Sequence, residues 1–122
     1  MFDSEMVAIE GEVIHGAKLG RRMGFPTANM EVGSADVENG VYLSSVTIDG
    51  REWKGMSNVG VRPSVDGHSR LLETHIFDFN GDLYGRMLKV KLLRKIRDER
   101  RFGSVDELQQ QLHSDFELIR SL

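Results

Sequence analysis

Residues 88–92 read Leu-Lys-Val-Lys-Leu, an alternation of apolar and charged side chains that suits a half-buried β-strand and no helix. Leu88, Val90 and Leu92 then face one side, while Lys89 and Lys91 form a solvated outer face. Carried on to Ile96, the same period makes the strand long. Upstream, residues 41–48 repeat the pattern, with Tyr42, Val46 and Ile48 on one face. Asp49-Gly50 follows, the dipeptide preferred where a two-residue hairpin turn needs positive φ, so a partner strand through Trp53 is expected. Residues 71–79 form a further candidate strand closed by Asn80-Gly81, again a hairpin signal. Residues 7–15 are rich in β-branched side chains, with Gly11 expected at a bulge or tight bend.

The period changes after residue 103. Ser104 lies three positions before Glu107, a capping box that opens a helix. Val105, Leu108, Leu112, Phe116 and Ile119 recur at helical spacing and form one apolar stripe able to dock against a sheet. Consecutive antiparallel strands with short connections must protect their edges, and closure into a barrel does so. The expectation is therefore a mostly β barrel with one C-terminal α-helix, a single domain over 1–122.

Composition narrows the function. The chain has no cysteine, which excludes a disulfide framework, a thiolate metal site and a thiol nucleophile, and fits a cytoplasmic location. MFDSEM at residues 1–6 lacks the features of a signal peptide, and no apolar run is long enough to span a bilayer, so no membrane partner is expected. A formal charge of −3 argues against sequence-independent nucleic-acid binding, and a monomer is expected.

Two stretches carry chemistry. Gly16, Gly20 and Gly24 are spaced by four and interleaved with Lys18, Arg21 and Arg22. Such glycines let the main chain approach phosphate oxygens, with cations to neutralise them. No Gly-Lys-Ser/Thr sequence follows, so this is no P-loop, and a solvated hairpin remains the alternative. GFPTAN follows at residues 24–29. Pro26 fixes its own φ and drives Phe25 toward extended geometry, so Thr27 and Asn29 project from one face. Their hydroxyl and amide oxygens are hard neutral ligands of the kind Mg²⁺ accepts beside phosphates; satisfying backbone groups in a turn is the competing role.

Glu73, on the same strand face as Leu71, His75 and Phe77, is a candidate proton acceptor, although a strand glutamate is more often a solvated surface residue. His15, His68, His75 and His113 show no metal-ligand spacing, and no Gly-x-Ser-x-Gly motif is present.

Taken in order, GEVIHGAKLGRRMGFPTANM (11–30), GVY (40–42), SNVGVRPSV (57–65), LETHIFDFNGDLYG (72–85) and KIRDERRFGSVDEL (95–108) resemble the riboflavin kinases. The wording is similar to the C-terminal kinase module of bacterial bifunctional riboflavin kinase/FAD synthetases. The adenylyltransferase half is missing from this chain, so conversion of FMN to FAD is not expected. The resemblance implies a six-stranded antiparallel β-barrel with one C-terminal helix. It implies phosphorylation of riboflavin to FMN, with ATP as co-substrate, Mg²⁺ as cofactor, and ADP and FMN as products. By the same resemblance Glu73 is the catalytic base, and Thr27 and Asn29 bind Mg²⁺ and phosphate. His15, Gly16, Gly20 and Arg21 belong to a flap over ATP, Leu83 and Gly85 line the nucleotide, and Arg97, Arg100 and Phe102 close on the flavin.

Two other functions compete. A non-catalytic flavin- or nucleotide-binding regulatory module would have no use for Glu73. A barrel for single-stranded nucleic acid would need stacking aromatics beside its cations, and aromatics are only 7% of the chain.

Overall fold

The computed structural model describes residues 7–14, 24–33, 35–64 and 67–122. Among these residues, six strands and one helix follow one another: β1 (Val7–Glu12), β2 (Ala28–Glu31), β3 (Gly40–Ile48), β4 (Arg51–Ser64), β5 (Gly67–Ile76), β6 (Met87–Arg97) and α1 (Val105–Arg120). All pairings are antiparallel in one sheet of order β1-β6-β3-β4-β5-β2. A bridge between Ile14 and Asn29 brings the two edge strands together, and the sheet curls into a nearly closed barrel. Closure hides the edges that an open six-stranded sheet would leave unpaired.

Alternation assigns the two faces. Tyr42, Val46, Ile48, Val59, Leu72, Ile76, Leu88, Val90 and Leu92 fill the interior. Asp49 and Gly50 sit at φ 52 and 81, as the β3–β4 hairpin expected from their sequence requires. A second apolar cluster lies outside the barrel, where Phe25, Val41, Leu43, Met56 and Phe77 meet Ile119, Leu108, Leu112 and Phe116 of α1. Ile119 is fully buried there, which contributes about 2 kcal/mol. The helix starts as its capping box predicts: Ser104 Oγ accepts from the Glu107 amide at 3.1 Å. The Glu107 carboxylate reaches back to the amide of Gly103 at 2.9 Å.

Four local expectations are corrected. Gly11 pairs regularly with Leu88 and marks no bulge; an added Cβ would meet Met30 Cε at an ordinary 3.5 Å. Asn80-Gly81 closes no hairpin. β5 spans Gly67–Ile76 with both edges occupied, by β4 and β2, so residues 77–86 must carry the chain to β6, between β1 and β3. The β6 alternation fails after Leu92, because register shifts against β3 insert Leu93 and Ile96 as extra residues, and both pack with the helix-side cluster. Val105 is 55% exposed, so the docked stripe starts at Leu108.

Candidate active site

GFPTAN is held from both sides. Gly24 takes φ 89, a turn conformation that favours glycine. Phe25 is buried beneath α1, edge-on to His113 at 4.9 Å and to His75 at 5.4 Å. The His75 Nδ1–H donates to the Pro26 carbonyl at 2.9 Å, which ties the approach to β2 onto β5. Beyond Pro26 the chain enters β2. Ala28 and Met30 pack into the barrel interior, so Asn29 faces outward.

Strand register then sets a row of residues across five strands. Asn29 pairs with Glu73, Glu73 with Asn58, Asn58 with Val41, and Val41 with Arg97. Directly paired positions project to the same face, so this row crosses the outside of the barrel. It runs along a pocket of about 990 Å³ whose lining includes Thr27, Asn58, Arg62, Glu73, Arg97 and Phe102. The structure thus brings together Thr27, Glu73, Arg97, Arg100 and Phe102, which are distant in sequence.

The side chains along the row are ionically linked. Glu73, 18% exposed, accepts through Oε1 from Arg62 Nη2 at 2.8 Å and Nε at 3.1 Å. Arg62 Nη1 donates to Glu99 Oε1 at 2.9 Å. Burial alone would lower the pKa of Arg62, but the hydrogen bond to Glu99 and the charges of Glu73 and Glu99 outweigh it and raise the value. With its amide oriented to satisfy both ends, Asn58 donates to the Gly40 carbonyl and accepts from Arg62. At the other end Arg97 forks onto Asp115 with bonds of 2.8 to 3.1 Å. Gln111 donates to Asp115 at 2.9 Å and accepts from Arg100 at 2.9 Å. Arg100 also lies 4.9 Å from the centroid of the Phe102 ring, and the bonds to Asp115 and Gln111 fasten residues 97–102 to α1.

Asn29 is 6% exposed, and among the described residues its Oδ1 is a buried side-chain oxygen with no hydrogen-bond partner. A buried amide oxygen without a donor costs about 1–3 kcal/mol, and a bound cation removes that cost. With the Thr27 hydroxyl on the same approach, these oxygens fit a hard divalent cation that completes its shell with phosphate and water. No group of three acidic or histidine side chains among the described residues forms a self-sufficient metal cage.

The predicted residues Leu83 and Gly85 are not among those lining this pocket. Leu83 is buried in the barrel core, and the Gly85 amide donates to the Val13 carbonyl at 2.9 Å. The neighbouring Ile14 amide donates to the Asn29 carbonyl at 2.7 Å, so the turn at Gly85 reaches Asn29 through two successive backbone links. His15, Gly16, Gly20 and Arg21 lie outside the described residues. Arg62, Glu99 and Asp115 were not anticipated as site residues. Arg62 lies within SNVGVRPSV and Glu99 within KIRDERRFGSVDEL, yet no spacing pointed to either side chain.

Comparison with known proteins agrees with this geometry. The family model described as flavokinase, riboflavin kinase, matches residues 4–122. The chain is 47% identical over 116 residues to a bifunctional riboflavin kinase/FMN adenylyltransferase of Pseudomonas fluorescens, covering 93% of this chain and 37% of that protein. Among solved structures it is similar to a protein named macrolide-efflux protein from Streptococcus pneumoniae. That match has 38% identity and a TM-score of 0.84, and it covers 94% of this chain and 38% of the other. Riboflavin kinase from Trypanosoma brucei shares the fold at 23% identity and a TM-score of 0.61, covering 93% of this chain and 77% of that one.

The chain belongs to the riboflavin kinase family, whose reaction phosphorylates riboflavin to FMN with ATP as substrate. It spans little more than a third of the bacterial bifunctional relative, the part corresponding to a kinase module. No helix among the described residues is long and apolar enough to cross a membrane.

Proposed function

We propose that this domain transfers the γ-phosphoryl group of ATP to the ribityl 5′-hydroxyl of riboflavin in a Mg²⁺-dependent reaction, with Glu73 as the base. The observation that carries this reading is the register row. Asn29, with its unpartnered oxygen, is directly paired with Glu73, and residues 97–102 line the same pocket as Glu73. Nucleotide phosphates belong on the Thr27–Asn29 side, near Gly85; the family resemblance assigns His15, Gly16, Gly20 and Arg21 to the same nucleotide. The flavin belongs under Arg97, Arg100 and Phe102, which leaves Glu73 between the two substrates.

Thr27 and Asn29 would hold the metal, which supplies charge neutralisation to the phosphates. Glu73 accepts a hydrogen bond from the attacking hydroxyl and orients its lone pair toward the phosphorus. An alcohol is far less acidic than a carboxylic acid, so the proton moves late, as the O–P bond forms in a loose transition state. Positioning and charge neutralisation therefore matter at least as much as basicity.

Glu73→Gln keeps the shape and removes the acceptor charge. FMN formation, followed by chromatography in riboflavin, ATP and Mg²⁺, should fall by about 10²–10⁴, or roughly 3–5 kcal/mol of barrier. Riboflavin binding, read from quenching of flavin fluorescence, should change little. An unchanged kcat would remove Glu73 from this role, and a wild-type chain that binds flavin without making FMN would be a binding module.

A further inference from the structure

Two arginine–carboxylate contacts in the pocket lining share one guanidinium, that of Arg62. Both bonds from Arg62 to Glu73 end on the same oxygen, Oε1, and among the described residues no hydrogen bond reaches Oε2. The remaining arm of Arg62 holds Glu99, which belongs to the segment following β6. The crossing is built over a glycine. A Cβ at Gly60 would lie 2.1 Å from Glu99 Oε1 and 2.7 Å from Arg62 Nη1, so a side chain there would push both groups away.

We propose that Arg62 is a positioning residue that couples the flavin-side segment to the base. Glu99 sets the orientation of the guanidinium, and the guanidinium pins Glu73 by one oxygen so that Oε2 faces the incoming hydroxyl. An arginine suits this task because its planar fork offers several donors in fixed directions, whereas a lysine supplies one mobile charge. The inference rests on Glu73 being the base. It assigns Arg62 no contact with either substrate.

The test is a double-mutant cycle on kcat for FMN formation, with thermal melts confirming that each variant is folded. Arg62→Ala should lower kcat by about 10²-fold, the scale of a misplaced catalytic group, with little change in the KM for riboflavin. Arg62→Lys should recover only part of that loss. Glu99→Ala should lower kcat less than Arg62→Ala does, and should change the rate of the Arg62→Ala variant by less than about 2-fold, because Glu99 acts through Arg62. Gly60→Ala, which removes no charge, should reproduce the direction of the Glu99→Ala effect.

Full activity in Arg62→Lys would show that charge alone suffices and would overturn the proposal. An unchanged or raised kcat in Glu99→Ala would do so too, since an arginine that touched phosphate directly would gain from release. Independent effects of the two alanine variants would have the same consequence. If Glu73→Gln is crippled while Arg62→Ala is not, this inference alone fails; if Glu73→Gln is fully active, the functional reading fails first.

Discussion

Two arginines line one face of the barrel, and they are held differently. Arg97 has one carboxylate partner among the described residues, Asp115, which is 3% exposed and itself braced by Gln111. Arg62 divides its ion pairs between Glu73 and Glu99, and all three side chains retain 18 to 31% exposure. A guanidinium committed to one buried carboxylate is a structural joint, since separating the pair strands a charge away from water. A guanidinium shared by two partly exposed carboxylates contributes little to global stability. One face of the sheet thus carries a structural fastening, which seats residues 97–102 on α1, and an orienting contact beside the candidate base that bears little of the stability.

Stability measurements separate these two roles. Asp115→Ala should have the largest effect, about 3 kcal/mol, lowering Tm by roughly 10 °C. Arg62→Ala should cost at most about 1 kcal/mol of stability despite its large effect on rate. If the two variants are equally destabilised in urea, the distinction between the arginines is lost. Ser104→Ala removes the cap at the start of α1, next to the Arg97–Phe102 segment, and should cost about 1 kcal/mol. That loss should leave kcat within a small factor of wild type if the Arg97–Asp115 joint, rather than the helix start, seats the segment.

The smallest effect comes from the barrel interior, which serves as a control for both. Burial is the main cause raising the Tyr42 hydroxyl above its ordinary value of 10.0, and the hydroxyl donates to the Glu38 carbonyl at 2.7 Å. The fold therefore favours the neutral phenol. That contribution is fully present below pH 10 and is lost as pH rises through the raised value. Urea midpoints should fall between pH 9 and pH 11, and Tyr42→Phe should remove part of that fall. An equal slope in Tyr42→Phe would assign it to other groups.

Much of the fold was legible because its signals are local. The alternation at 88–92, the Asp49-Gly50 turn and the Ser104 capping box each depend on a few adjacent residues, and each appears where the sequence places it. Gly11, Asn80-Gly81 and Ile96 misled because their meaning depends on which strand lies alongside. A hairpin dipeptide cannot close strands that are not neighbours, and a bulge in β6 follows from its fit to β3.

The site divides along the same line. GFPTAN and LETHI were singled out by residue type, because proline, short oxygen-bearing side chains and a strand carboxylate carry chemical meaning wherever they stand. The pairing of Asn29 with Glu73, the reach of Arg62 to both Glu73 and Glu99, and the burial of Asp115 against Arg97 are products of strand register and helix docking. The amino-acid sequence determined which groups were available, since backbone preference and side-chain chemistry belong to each residue. Only the tertiary structure decided which of them share a pocket, because interactions between residues far apart in the chain depend on how the whole sheet closes.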